Sequence, residues 1–434
     1  AGTRADLAAD LTSANVLGQR IPLLNKQTAD TGASLVPRLF RNAPGICFIG
    51  RVHEQAFSSV LAQGRRWGMG LGIGKATLMH HGYSAEIKQS KDKVKRNLRL
   101  LELALEEFPD EPALLMNHGL DLYNDGQVEK AIGQLGCAAA EMEKMEPAAV
   151  LPEVRERLVN TYASILLQAE ETGKLIEFAQ SRVALASGPT ASLHYLHGLA
   201  LLKSNRSTEA IPEFQACIAK AGQPVMAPAC RGVQKAGPHH LLGDCLARDG
   251  RAEEAEEQYR MGIELEPTNV PIRLDYAKFL VTQHRPTEAL NVLHNRIEEH
   301  GPDEKLWALG CQIVNGHLED FEVAANWTEC AVLHYPDHAE IRKHRAIALL
   351  TAGRFDEAVE YFEQTPGLEN EMTTAAIYLC RITSDHAKKL KTPENELAIS
   401  KYLTDWYRRL LTHDNESATQ AVIARLDALE RLLP

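Results

Sequence analysis

Long apolar runs and an excess of basic residues are both missing from this sequence. No stretch approaches the ~18 apolar residues that a membrane-spanning helix needs, and the N-terminus has no basic and then apolar leader. The chain has 47 lysines and arginines against 58 aspartates and glutamates, and its formal net charge is -11. Since nucleic-acid and anionic-membrane binders need a cationic surface, the composition argues against both classes.

Paired cysteines are also missing, and aromatic residues make up only 6% of the chain. The eight cysteines are scattered singly, with no Cys-x-x-Cys pair. This spacing favours buried free thiols in a reducing compartment over a disulfide framework or a zinc site, and we therefore expect a cytoplasmic protein. The cysteines are Cys47, Cys137, Cys217, Cys230, Cys245, Cys311, Cys330 and Cys380.

A repeat dominates the 434 residues. Small residues recur at offsets 0, 12 and 19, a glycine at offset 7, and an aromatic residue or leucine at offset 16. Small residues let two antiparallel helices approach closely, the large residue fills the gap, and the glycine permits a tight turn. The clearest copies start at Gly119, Gly198, Gly243 and Ala346, and weaker ones centre on Ala277 and Ala324.

This pattern resembles the tetratricopeptide repeat (TPR), a helix-turn-helix unit that stacks into a superhelix. We expect six or seven units within residues 91–365, with irregular stretches around 141–190 and 222–236. Residues 366–434 are predicted to form a C-terminal helical cap. The concave face of such a superhelix usually binds an extended peptide or a neighbouring domain.

Four histidines fall on predicted first helices, the helices that generally line this groove. They are His194, His197, His239 and His240. A metal-binding or catalytic role in a small-molecule enzyme is one interpretation. Because the cysteine or carboxylate neighbours of a typical metal site are lacking, we favour groove or core histidines.

Residues 1–90 follow a different pattern. Short runs of strand formers at 16–26, 34–40 and 46–52 are separated by turn formers, then a short helix and a further strand near 76–83 follow. Three or four strands and one helix make a small core for an independent domain. The segment is therefore expected to be part of a larger α/β domain.

The motifs "PRLFRNAPGICFIGRVHEQAF" and "LMHHGY", followed by "KVKRNLRLLELALEEFPDEP", resemble bacterial family 2 glycosyltransferases that carry C-terminal TPR repeats. The resemblance implies a mainly α fold, a superhelix of TPR-like hairpins. Ahead of it would stand a small α/β segment similar to the second half of a GT-A glycosyltransferase domain.

The resemblance also implies site residues. Glu54 would be the acceptor-side catalytic carboxylate, with His53 beside it at the rim of the active site. Arg38 and Arg41 would contact the diphosphate, since arginine suits bidentate phosphate binding, and His80 would take part in substrate or phosphate binding. A solvated strand-end pair is the alternative interpretation of His53 and Glu54.

The cofactor and partners implied are a divalent metal (Mg²⁺ or Mn²⁺), a nucleotide-sugar donor, and a peptide or protein in the TPR groove, or a second copy in a homodimer. No Asp-x-Asp metal motif or nucleotide-binding βαβ unit precedes residue 38. We therefore expect no metal site in this chain, and no sugar transfer by it alone. The alternative from a different class is a non-enzymatic TPR scaffold for protein-protein interaction.

Overall fold

The computed structural model describes most of the chain up to residue 361. The chain divides into two compact units, Ala1–Glu266 and Pro267–Pro434. Each unit is described by itself. The described residues are 4–12, 15–25, 34–51, 56–80, 91–186, 188–223, 225–227, 232–233, 235–318, 320–352, 354, 357 and 361.

The first unit begins with a small sheet flanked by two helices. Its central strand, β1, pairs antiparallel with β2 on one side and parallel with β3 and β4 on the other. Helix α2 packs Val60 against Leu17 of β1, and both side chains are almost fully buried. The elements are α1 (Arg4–Thr12), β1 (Val16–Asn25), β2 (Ser34–Phe40), α2 (Phe57–Trp67), β3 (Gly70–Ile73) and β4 (Leu78–His80).

The strand predicted for residues 46–52 is wrong over its described part, 46–51. This segment is a loop in which only Ile49 makes a bridge contact. The backbone N–H of Cys47 donates to the hydroxyl of Ser59, and the backbone carbonyl of Cys47 accepts from the same hydroxyl. These two backbone groups therefore do not pair with a strand of the sheet. Phe48 and Ile49 are exposed, at 63% and 50%, and of this segment only Ile46 packs against the buried cluster around Leu17. Helix α1 and strand β3 were not predicted.

Helical hairpins fill the rest of the first unit. Each hairpin pairs a first helix with an antiparallel second helix. In the hairpin that begins at Pro152, the second helix is broken into two pieces, which lie within the predicted irregular stretch 141–190. Helix α3 (Lys91–Glu107) comes before them. The hairpins are α4 (Pro112–Asn124) with α5 (Val128–Lys144), α6 (Pro152–Gln168) with α7 (Thr172–Ala179) and α8 (Arg182–Leu185), α9 (Ala191–Lys203) with α10 (Ser207–Ala219), and α11 (Ala236–Arg248) with α12 (Ala252–Leu265).

The second unit continues the same architecture. Asn315 of a first helix donates to Nδ1 of His344, at 3.1 Å, and to its carbonyl oxygen, at 2.9 Å, so a buried polar contact joins two first helices. Burial lowers the pKa of His344 to about 4. The helices are α13 (Val270–Thr282), α14 (Pro286–His300), α15 (Glu304–His317), α16 (Phe321–His334) and α17 (Ala339–Thr351).

The close packing predicted from the repeat is present in the structure. A Cβ atom added at Gly198 would lie 2.8 Å from the ring of Phe214, and one at Gly243 would lie 3.0 Å from Tyr259. Real Cβ atoms essentially never come as close as 2.8 Å to a neighbour, so Gly198 is needed for the separation of its two helices, and at Gly243 the contact would be tighter than most real ones. In hairpin α15–α16, Gly310 is covered by Trp327 in the same manner.

The turn at offset 7 also follows the prediction. Gly126 and Gly250 adopt positive φ angles of 87° and 80°. The equivalent positions of other hairpins hold Glu170, Asn205 and His284, whose φ angles are 61°, 57° and 58°. The turn therefore keeps one backbone shape, and it imposes strain where the residue is not glycine.

A mainly helical fold with TPR-like hairpins after a small sheet is thus confirmed. None of the described residues between 222 and 235 is helical, in agreement with the predicted irregular stretch 222–236, and α11 begins at Ala236. No described helix is long and apolar enough to cross a bilayer. The predicted cap, 366–434, lies outside the described residues, and the boundaries at residues 90 and 365 stay predictions.

Six cysteines lie in the described part of the chain, all as free thiols. The prediction of buried thiols is correct for three of them and wrong for the other three. Burial raises the pKa of the Cys245 and Cys311 thiols to about 12, so neither is a reactive thiolate at neutral pH. Buried are Cys217, Cys245 and Cys311, whereas Cys47, Cys137 and Cys330 are exposed.

Candidate interaction site

The candidate site is a cavity of about 800 Å³ in the first unit. One wall comes from the N-terminal segment, where Arg20 of β1 and Arg51 and Arg65 contribute cations. The facing wall comes from α3, α4 and the start of α6, and it includes Glu107 and Glu111. We call it the interface cavity. Its volume falls within the range of about 300–1,000 Å³ that is common for ligand sites.

Two ion pairs connect these walls. Arg20 pairs with Glu153 in the first turn of α6, where both side chains are largely buried. Arg51 pairs with Glu107 at the end of α3, where about half of each side chain is exposed. Because a buried pair responds strongly to the loss of one partner, Arg20 and Glu153 are the more important connection.

The segment after α10 makes a third connection. The carbonyl of Val225 accepts a hydrogen bond of 3.0 Å from the N–H of Leu35 on β2. The carboxylate of Glu156 on α6 accepts hydrogen bonds from the N–H groups of Met226, at 3.0 Å, and Ala227, at 3.1 Å. Burial raises the pKa of Glu156, and these two hydrogen bonds act in the opposite direction. The irregular stretch 222–236 therefore ties the sheet to a first helix.

Many of the side chains that line the interface cavity are apolar. Methionine side chains suit such a surface because they are flexible and adapt to different shapes. The side-chain Oδ1 of Asn117, on α4, is buried and has no hydrogen-bond partner among the described residues. An unpaired buried polar atom of this kind costs about 1–3 kcal/mol of stability. The apolar lining includes Leu61, Leu114, Met142, Met145 and Val154.

Two of the residues expected at a glycosyltransferase site, Arg38 and Arg41, do not line this cavity. Arg38 is exposed on β2, and Arg41 is exposed and donates from Nε to the carbonyl of Val16 at 2.9 Å. His80 ends β4, where its backbone pairs with Asn25. His53 and Glu54 lie outside the described residues, so their roles stay predictions.

The groove histidines do lie on first helices, as predicted. His194 and His197, on α9, contact the same carboxylate, Glu213 of α10, at 2.7 and 3.3 Å. Burial would raise the pKa of Glu213, but hydrogen bonds and charge from the two histidines outweigh it and lower the pKa to about 2. His239 contacts Gln258 at 2.9 Å. These contacts join the two helices of a hairpin, which fits the core interpretation.

His240 of α11 has a different set of neighbours. Its Nε2 lies 3.8 Å from Asp244 one turn later, and its ring centre lies 6.4 Å from that of Tyr259. The Tyr259 hydroxyl donates to Asp244 at 2.6 Å. This histidine therefore also belongs to the packing inside a hairpin.

Sequence reasoning missed the structural role of Asp10 in the N-terminal segment. Asp10 is buried on α1, and its carboxylate accepts hydrogen bonds from the N–H groups of Lys75, at 2.9 Å, and Ala76, at 2.8 Å. It fixes the loop between β3 and β4. Nothing in the local sequence signals this role, because the donors lie 65 and 66 residues away.

The architecture and this site define a helical-hairpin repeat protein. Residues 246–312 and 318–368 match models of the tetratricopeptide repeat. The chain therefore carries tetratricopeptide repeats, in agreement with the spacing of its small residues. No curated protein matches the sequence.

Several solved structures are similar to parts of the chain. YrrB, described as a TPR protein with an unusual peptide-binding site, is 15% identical over 48% of this chain and 95% of its own, with a TM-score of 0.38. A tetratricopeptide repeat protein from Parabacteroides merdae is 17% identical over 60% and 93%, with a TM-score of 0.37. PilW, a type IV pilus biogenesis factor, is 16% identical over 54% and 97%, with a TM-score of 0.39. At such low similarity, nothing about binding follows for this chain.

Proposed function

We propose that this chain is a protein-interaction scaffold that holds a segment of a partner protein in the interface cavity. The observation that carries the proposal is the cavity itself, about 800 Å³ and lined by many apolar side chains. Tetratricopeptide repeats support it, because proteins with these repeats bind peptides or proteins. The N-terminal segment acts here as the second wall of the binding site.

The test is peptide binding with the cavity blocked. Peptides are first selected on the full chain from a random library displayed on phage, and their affinities are then measured by calorimetry. Ala62 on α2 lines the cavity and is exposed, so Ala62→Trp fills the space without removing a contact of the fold. Ala140 on α5 is exposed and does not line the cavity, so Ala140→Trp is the matched control.

We expect the selected peptides to lose at least tenfold in affinity on Ala62→Trp and to bind the Ala140→Trp variant like the parent, since tenfold corresponds to about 1.4 kcal/mol of lost contact. Equal affinity for both variants would place the binding elsewhere and contradict the proposal. Circular dichroism confirms that each variant is folded.

Glycosyltransferase activity stays a prediction that rests on the resemblance alone. The comparisons give it no support. The carboxylate of Asp10, one of the few acidic side chains upstream of residue 38, is committed to the backbone of Lys75 and Ala76, so it does not fit a metal ligand. Calorimetric titration of the chain with nucleotide sugars and Mn²⁺ or Mg²⁺ tests the expectation that the chain alone does not bind a donor, and metal-dependent binding would contradict that expectation.

A further inference from the structure

Two opposite charges line the interface cavity without pairing. Arg65 belongs to α2 in the N-terminal wall, and Glu111 stands just before α4 in the facing wall. Both side chains are exposed, and within the described part of the chain neither has an ion-pair partner. The other two arginines of the cavity are paired, because Arg20 forms an ion pair with Glu153 and Arg51 forms one with Glu107. One positive and one negative wall position are thus left open to a ligand.

The same cavity also offers a surface that suits an apolar side chain. Leu61 comes from the same wall as Arg65, whereas Leu114 comes from the same wall as Glu111. Met142 and Met145 complete this surface and adapt to different side chains. An apolar anchor residue would bury its side chain here, and burial of such surface is the main driving force of association.

We infer that the interface cavity binds a peptide with an apolar anchor residue between an acidic and a basic residue. The acidic residue faces Arg65, and the basic residue faces Glu111. This inference rests on the proposed scaffold function and adds the chemistry of the partner. It also gives the bound peptide one direction in the cavity, because reversing the peptide would set like charges against each other.

The experiment is selection from a random peptide library displayed on phage, against the full chain and its charge-reversed variants. Arg65→Glu and Glu111→Lys each reverse one wall. The matched controls are Arg66→Glu and Glu106→Lys, which change exposed residues close to these two in sequence that do not line the cavity. Each variant is checked for folding by circular dichroism before selection.

The parent chain is expected to enrich peptides with opposite charges on the two sides of an apolar residue. Peptides selected on Arg65→Glu are expected to carry a basic residue where those selected on the parent carry an acidic one. Peptides selected on Glu111→Lys are expected to carry an acidic residue in place of the basic one. Both control variants are expected to select the same charge pattern as the parent. In a selected peptide, changing the acidic residue to Ala lowers affinity for the parent by roughly twofold to fivefold, the size typical of an exposed ion pair. The same change leaves affinity for Arg65→Ala unaltered.

Two results overturn the inference, and they are distinguishable. Peptides that are enriched without a charge pattern, yet fail to bind the Ala62→Trp variant, contradict the charge arrangement and leave the scaffold function standing. If no peptide is enriched on the folded chain, both the inference and the proposed function fail.

Discussion

Arg20 in β1 forms a largely buried ion pair with Glu153 in the first turn of α6, and the two residues are 133 positions apart in sequence. The pair connects the N-terminal sheet to the helical hairpins beside the interface cavity. The second carboxylate oxygen of Glu153 is buried and has no partner within the described part of the chain. Arg20 is therefore needed to balance a carboxylate that has little other support.

Replacing Arg20 is expected to destabilise the first unit. Arg20→Met leaves Glu153 buried with no cation, and the free energy of unfolding falls by about 3 kcal/mol, as for other broken buried pairs. Urea unfolding followed by circular dichroism measures the change. In the double variant Arg20→Met with Glu153→Leu no unpaired charge remains, so we expect most of the lost free energy of unfolding to be recovered.

A matched control for this pair is Arg251→Ala, which removes an exposed partner of Glu254. It is expected to change the urea midpoint little, because exposed pairs contribute little to stability. If Arg20→Met and Arg251→Ala gave equal midpoints, the Arg20–Glu153 pair would not hold the sheet in place.

The same substitution is predicted to have opposite effects at two glycines. Gly250 has a φ angle of 80° in the turn between α11 and α12, so Gly250→Ala costs about 1–2 kcal/mol of strain. Gly133 lies inside α5 with open space around it, so Gly133→Ala stabilises by roughly 0.5–1 kcal/mol. Urea unfolding gives both values, and the same sign at both positions would refute the account of the turn.

Gly198 and Phe214 are predicted to be energetically coupled. Gly198→Ala places a methyl group 2.8 Å from the ring of Phe214 and destabilises the hairpin by about 1–3 kcal/mol through overpacking. Phe214→Leu makes room, so the double variant loses less than the sum of the single losses. Additive losses in a double-mutant cycle would mean that the two residues do not press on each other.

The stability of the second unit should depend on pH through His344. Its pKa is about 4 in the folded chain, because burial disfavours the charged form, whereas an unperturbed histidine has a pKa near 6.5. As pH falls from 6.5 to 4 the unfolded chain takes up a proton that the folded chain does not. The free energy of unfolding therefore falls by roughly 3 kcal/mol over this window.

Urea titrations between pH 7 and pH 4 measure this decline. His344→Asn removes the titrating group, so its stability should decline less over the same range, whatever its stability at pH 7. A variant whose decline matched the parent would show that His344 does not cause the pH dependence.

The parts of the fold that depend on local spacing could be predicted from the sequence. Gly198 and Phe214 stand 16 residues apart within one hairpin, and Gly250 lies in the turn of another, so periodicity alone finds them. The loop at 46–51 was mistaken for a strand because its apolar residues suit either structure. Its hydrogen bonds to Ser59 are tertiary contacts that a local pattern does not show.

The candidate site was not predictable in the same manner. Arg20 and Glu153 are far apart in the chain, and the residues that line the interface cavity come from segments between residues 20 and 154. The sequence drew attention instead to His53 and Glu54 through a resemblance. The comparisons support only the repeats.

Hydrogen exchange on the full chain, with and without a peptide selected from the random library, tests the central claim most directly. If the interface cavity holds the peptide, amide exchange slows in α2 and in the first turns of α4, and it is unchanged in α14 and α16. Slowed exchange confined to α14 and α16, or no slowing under saturating peptide, would contradict the assignment of the interface cavity as the binding site.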